Sequence, residues 1–149
     1  PVGCSVALIA VPAGLARAHD PIILTPDDVS PGAGPLLVDG TISFAVYAVV
    51  GPGSDQAFRA QFVAGDTIEI TALIPDQAPE RALDDDALPV LTVVRPDGSR
   101  IEPTPTARES FVESFTGDSY IRYLEWSEPA QAGVYGVVMS SEHPSAAST

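Results

Sequence analysis

Five acidic side chains lie close together in one stretch of the chain and form a candidate metal site. Within eleven residues the sequence carries Asp76, Glu80, Asp84, Asp85 and Asp86. Ca²⁺ takes about six to eight oxygen ligands, which clustered carboxylates and loop carbonyls can supply. The spacing lacks the turn glycine and the terminal glutamate of a standard calcium loop. We therefore expect either a weak calcium site or a solvated acidic loop, and we predict no other cofactor for the folded domain.

His19 is a second candidate metal ligand. It directly follows Ala16, Arg17 and Ala18, a triplet after which a signal peptidase would cut, so cleavage would leave His19 as the N-terminal residue. An N-terminal amine and its own imidazole can together chelate Cu²⁺. Exported copper proteins are similar in beginning with histidine, but they supply a further histidine, and here the other one is His143, near the end of the sequence. An exported copper carrier is therefore an alternative function.

The sequence offers little for catalysis. It contains no Gly-x-Ser-x-Gly, no His-Glu-x-x-His and no Gly-rich phosphate loop. Its two histidines lie toward the two ends of the chain, which disfavours a Ser-His-Asp triad. We therefore predict that the protein is not an enzyme. A glycan-active or glycan-binding sandwich is a second alternative, since two carboxylates can cleave a glycosidic bond and four are candidates: Asp20, Asp66, Glu69 and Glu125.

Three aromatic residues near the end of the sequence raise the question of sugar stacking. In a strand, successive side chains point to opposite faces. Tyr123 should therefore point away from Tyr120 and Trp126, so that no platform of three rings forms. We expect Trp126 to pack in the core.

The charge balance restricts the partners. Twenty acidic residues stand against seven arginines and no lysine, which gives a net charge of −13. Such a chain repels phosphate backbones and anionic lipid headgroups, so we expect neither nucleic-acid binding nor direct membrane binding by the mature domain. With 149 residues, 45% of them apolar, the chain is long enough for one domain with a hydrophobic core.

The N-terminal segment has the pattern of a secretory signal peptide. Residues 2–15 are apolar and uncharged, and a small-x-small triplet follows them. We predict that residues 1–18 are a signal peptide remnant, so that cleavage removes the single cysteine, Cys4, and leaves residues 19–149 as one exported domain. The alternative is a buried N-terminal strand or helix, which Pro12 and Gly14 would weaken.

Alternating apolar residues predict the elements that position these groups. Strands are expected at residues 22–24, 42–50, 58–62, 67–73, 90–94, 120–126 and 134–139, with helix limited to single turns within 78–85 or 106–114. Tight turns rich in Gly, Pro and Asp separate them. The sequence predicts an all-β, antiparallel β-sandwich of seven to nine strands, Greek-key or jelly-roll, over residues 22–139.

The turn pattern over residues 58–139 resembles the bacterial pre-peptidase C-terminal (PPC) domain, a small exported β-sandwich. The similarity lies in the turn Gly65-Asp66, the turn Pro96-Asp97-Gly98 and the strand Gly133-Val-Tyr-Gly-Val-Val-Met139. In that family a closing strand follows the last of these. The resemblance therefore implies that the domain is truncated at its C-terminal end, which leaves open whether a further domain or an anchor follows Thr149.

These observations predict a non-catalytic exported module. We expect it to be secreted or held at the bacterial cell surface, as an accessory or interaction domain with a protein or cell-envelope partner. The export pattern, the sandwich pattern and the lack of a catalytic set support this prediction.

Overall fold

The computed structural model describes residues 3–9, 20–113 and 117–141. Over these ranges the chain forms two single 3-10 turns, Glu80–Ala82 and Asp85–Ala87, and eleven strands. The strands are β1 (Cys4–Ile9), β2 (Asp20–Ile23), β3 (Leu36–Leu37), β4 (Phe44–Val50), β5 (Asp55–Phe62), β6 (Thr67–Pro75), β7 (Val90–Val94), β8 (Arg100–Ile101), β9 (Glu109–Val112), β10 (Ser119–Pro129) and β11 (Gly133–Ser140).

The strands form two sheets, and the predicted all-β sandwich is confirmed. One sheet has the order β2-β4-β1-β6-β10-β9 and the other the order β3-β5-β11-β7-β8. Most neighbours are antiparallel, but β2 runs parallel to β4 and β3 runs parallel to β5, so both sheets are mixed. The expected seven to nine strands were too few, because two-residue strands such as β3 and β8 are too short to show an alternating pattern.

The inner faces of the two sheets enclose one main core. Alternate residues of each strand point inward, as the pattern predicted for β5 and β6: Phe58, Ala60, Phe62, Ile68 and Ile70 are all buried. Phe62 and Tyr135 make an edge-to-face ring contact between β5 and β11, with centroids 5.4 Å apart. Burial of these apolar side chains is the main stabilising term of the fold.

A β-bulge in β10 changes which face its side chains occupy. Arg122 pairs with Leu73 and Leu124 pairs with Ala72, so Tyr123 is an extra residue opposite β6. After the bulge the alternation shifts by one. Tyr123 and Trp126 therefore both pack on the main core, whereas Tyr120 lies on the outer face. No single face carries all three rings, as predicted, but the expectation that Trp126 shares a face with Tyr120 was wrong, because Trp126 shares one with Tyr123.

The predicted leader segment contributes a strand. β1 lies inside the six-stranded sheet, where it pairs antiparallel with β4 on one side and with β6 on the other. Val6 and Leu8 are buried in the main core. The structure thus agrees with the alternative of a buried N-terminal strand, while cleavage after Ala18 stays a prediction. Within the described residues, no helix has the length and apolar character to cross a membrane.

Candidate functional site

The acidic loop is organised by two arginines. Arg81 donates a hydrogen bond from Nε to the Asp76 carboxylate at 2.7 Å. Arg108, from the segment between β8 and β9, donates to Asp85 at 2.8 Å and to the backbone carbonyl of Leu83 at 2.6 Å. Arg81 belongs to the acidic loop itself, whereas no sequence pattern predicted the contact between Arg108 and Asp85. That contact spans 23 residues, so it depends on the fold.

The five candidate calcium ligands do not converge. Glu80 points into the protein and is only 6% exposed, and its carboxylate accepts a hydrogen bond from the backbone N–H of Ser5. Asp84 and Asp86 are exposed on the loop surface. In the described part of the chain, no three His, Cys, Asp or Glu residues come close enough to hold a metal ion. Calcium binding here stays a prediction and would require the loop to rearrange.

The candidate copper ligand cannot be placed. His19 and His143 both lie outside the described residues. The copper hypothesis therefore stays a prediction from the sequence.

The four candidate glycan carboxylates separate into three places. Asp20 begins the edge strand β2, and Asp66 accepts a hydrogen bond from the N–H of Val63 at 2.9 Å, which fixes the turn before β6. Only Glu69 and Glu125 lie close together. They stand on the neighbouring strands β6 and β10, on the outward-facing side of the sheet.

Glu69 and Glu125 border a shallow depression in the outer surface. Thr71 and Ser127 complete its polar lining, and Ile70 and Trp126, which lie between these residues along the two strands, also border it. Thr71 pairs with Glu125 and Ser127 pairs with Glu69, so the four side chains occupy two rungs of the β6–β10 ladder. Arg122 forms an ion pair with Glu125 at 3.0 Å. The depression offers two carboxylates and two hydroxyls to a polar ligand.

The same outer surface carries an apolar area, which we call the aromatic face. It consists of Ile23, Tyr47, Val49, Phe111 and Tyr120. Tyr47, Phe111 and Tyr120 pack over a small buried cluster of Ala7, Ala45 and Leu73. Burial, together with the contact with Tyr47, raises the pKa of the Tyr120 phenol above its ordinary value. Sequence patterns missed this face because its members come from four strands.

Ile23 and Val49 extend the aromatic face toward the sheet edge. They are 77% and 57% exposed. In an open sandwich, outward positions are usually polar. An outward apolar area bordered by charged residues is typical of a surface that binds a partner.

One further charged cluster lies at the end of the sandwich. Arg95 donates two hydrogen bonds to the Glu128 carboxylate, each at 2.9 Å, and the buried Tyr135 hydroxyl donates to the same carboxylate at 3.3 Å. Bonding to Arg95 lowers the pKa of Glu128. The three residues belong to β10, β11 and the turn after β7. The cluster therefore serves to join the two sheets.

Comparison of this chain with models of protein families, with curated proteins and with solved structures gave no match. The resemblance to PPC domains therefore stays a prediction from the turn pattern. Among the surfaces of the described residues, the aromatic face and the depression beside it have the chemistry to bind a partner or a ligand.

Proposed function

We propose that the protein is a non-catalytic, exported β-sandwich module that binds a protein at the bacterial cell surface through its aromatic face. The observation that carries this proposal is the aromatic face itself. Its apolar side chains point outward from a sheet whose inward side chains already fill the core. Large apolar areas on a protein surface are favourable only when something covers them.

The charges around the aromatic face indicate the chemistry of the partner. Arg122 is engaged by Glu109 and Glu125 together, and Glu69 adds another carboxylate beside them. The margin is therefore acidic, as is the chain as a whole, with its net charge of −13. A partner that presents apolar side chains next to lysine or arginine would be complementary, and its attraction would weaken with salt.

The leader pattern supports the location. Residues 2–15 and the triplet at residues 16–18 are typical of export through a secretory pathway. Recovery of the protein from the medium or cell surface of an export-competent bacterium, followed by N-terminal sequencing, tests this part of the proposal. Retention in the cytoplasm with an uncut N-terminus would overturn it.

Binding is tested on isolated bacterial cell envelopes. Ile23→Ser and Val49→Ser each remove an exposed apolar side chain from the aromatic face, and neither residue belongs to the buried cores. Val63→Ser is the matched control, because Val63 is 62% exposed but lies in the turn after β5. We expect the variant that carries both Ile23→Ser and Val49→Ser to co-sediment with the envelopes about tenfold less than the wild type, and the control to co-sediment as the wild type does. Protease treatment of the envelopes should abolish binding. Equal binding by all variants, or none by the wild type, would contradict the proposal.

Glycan binding at the depression is a second candidate, favoured by the meeting of Glu69, Glu125 and two hydroxyl side chains. Soluble cell-wall polysaccharide fragments are the probe. Glu69→Gln should lower their binding several-fold, whereas Asp66→Asn, in the adjacent turn, should affect stability but not binding. Fragments that bind neither wild type nor variants would dismiss this candidate.

A further inference from the structure

β1 occupies an interior slot between two strands that are otherwise not paired with each other. Its six residues pair with β4 from Cys4–Val50 to Ile9–Ala45, and three of them also pair with β6. Along the chain, β4 and β6 are separated by β5, which belongs to the other sheet. Removal of β1 would therefore leave two facing strand edges with unpaired N–H and C=O groups.

The same residues form the apolar centre of the predicted leader. Cleavage after Ala18 would remove the whole of β1 together with the leader. The main core would lose the side chains of Val6 and Leu8, which are 2% and 3% exposed in the full chain. Vacated space of this kind destabilises a core, because the surrounding side chains close it only in part. A mature domain with an empty slot would be poorly stable until another strand filled it.

The residues around the slot define what it accepts. On the inner side, Val6 and Leu8 show that it takes aliphatic side chains at alternate positions. On the outer side, Ala7 lies between Tyr47 and Leu73 in the ladder and is 3% exposed, so a small residue fits there. The edges of β4 and β6 would supply main-chain hydrogen bonds to any extended chain. This is the recognition mode in which a partner adds a strand to a sheet.

We infer that the slot between β4 and β6 is a strand-acceptor site. In the full chain residues 4–9 fill it, and in the cleaved, exported chain an extended segment of the partner protein fills it. That segment carries aliphatic residues at the positions of Val6 and Leu8 and a small residue at that of Ala7. This inference rests on the proposed function, since it requires both export and a protein partner. It also gives residues 4–9 two roles that both require apolar side chains, as part of the leader and as a buried strand.

The test uses the full chain, folded before it is cut. A recognition sequence for a specific protease replaces residues 12–17, and the purified protein is cleaved in its folded state. A fluorescent peptide with the sequence of residues 3–10 is then added in excess. A second peptide, with aspartate in place of Val6 and Leu8, is the control. Size-exclusion chromatography and native mass spectrometry measure how much peptide is bound and whether the original segment has left.

We expect the cut protein to bind roughly one equivalent of the first peptide. The uncut protein should bind about tenfold less of this peptide, and the cut protein should bind about tenfold less of the aspartate peptide. Equal uptake by cut and uncut protein, equal uptake of both peptides, or no uptake by the cut protein would each overturn the acceptor site. The export step is decided separately by N-terminal sequencing of the secreted chain. A secreted chain that still carries residues 1–18 would contradict the proposed function, even if the purified protein exchanges β1 for the peptide. A secreted chain that begins at His19, together with no peptide uptake by the cut protein, would contradict only the acceptor site.

Discussion

The carboxylate of Glu80 accepts a hydrogen bond from the backbone N–H of Ser5, with 3.3 Å between the two atoms and 75 residues between the two positions. This contact fastens the acidic loop to β1. The candidate calcium loop and the candidate leader are therefore in direct contact, although they lie far apart in the sequence. Because Glu80 is only 6% exposed, its carboxylate supports the strand and is turned away from solvent.

Loss of this acceptor should destabilise the full chain. We expect Glu80→Ala to cost about 1 kcal/mol, because the N–H of Ser5 then lacks its partner in a partly buried position. Glu80→Gln keeps a side-chain oxygen and should cost less. Asp84→Ala, an exposed residue of the same loop, is the control. Chemical denaturation of the four proteins measures the difference, and equal stability of Glu80→Ala and wild type would contradict the role of this contact.

Calcium should leave the melting temperature unchanged. Asp76 and Asp85 are held by Arg81 and Arg108, and Glu80 is held by Ser5, so a cation would have to displace these contacts before gaining ligands. Melting curves in millimolar Ca²⁺ and in chelator should therefore coincide. A rise of about 2 to 4 °C with Ca²⁺ would indicate that the loop rearranges into a site, since a ligand that binds only the folded state raises its stability.

The Cys4 thiol should react slowly while β1 is docked. Burial, with a smaller contribution from the Glu80 carboxylate, raises the pKa of Cys4 to about 11. Because the thiolate is the reactive form, alkylation near neutral pH should be about a hundredfold slower in the folded chain than in denaturant. The same shift predicts that stability falls as pH rises from about 9 to about 11, where the unfolded chain ionises first. Equal alkylation rates in the two states would show that β1 is not docked.

Much of the fold follows from local patterns. The strands around residues 42–50, 58–62, 67–73, 90–94 and 134–139 were expected because alternating apolar residues and intervening turns mark them. A strand was also expected at residues 22–24, and it corresponds to β2, which lies at the edge of the six-stranded sheet. These strands could be predicted because the alternation of apolar and polar residues within each segment is enough to identify them.

The remainder depends on contacts between distant residues. The bulge at Tyr123 has no local signal, so the faces of β10 could not be assigned beyond it. The pairs Arg108–Asp85 and Arg95–Glu128 join segments 23 and 33 residues apart. The leader pattern is ambiguous for a physical reason: a short apolar stretch is suitable both for a signal peptide and for a strand buried on both faces.

Acid should remove the contribution of Glu128. Its hydrogen bonds with Arg95 lower its pKa below the ordinary value of 4.5. A carboxyl group with a lowered pKa stabilises the fold above its unfolded pKa, and the contribution is lost as pH falls through the folded pKa. We expect Glu128→Gln to lower the melting temperature by a few degrees at neutral pH, with the difference from wild type shrinking below about pH 4.

The control for Glu128→Gln is Asp86→Asn, which removes one carboxylate from an exposed loop position. Thermal unfolding followed by circular dichroism from neutral to acidic pH provides the measurement. A Glu128→Gln deficit that stays constant over the whole pH range would show that the side chain acts through packing and not through its charge.

The bulge residue provides the most specific test of the packing. Tyr123 is 1% exposed, and its hydroxyl donates a hydrogen bond to the buried backbone carbonyl of Pro89 at 2.9 Å. Tyr123→Phe keeps the ring but leaves that carbonyl without its partner, which should cost about 1 to 2 kcal/mol. Tyr123→Ala also removes the ring from the main core, and we expect about 3 to 5 kcal/mol. Tyr120→Phe, at a half-buried position before the bulge, should have a much smaller effect. Equal losses for Tyr120→Phe and Tyr123→Phe in denaturant titrations would mean that the bulge does not turn Tyr123 into the core.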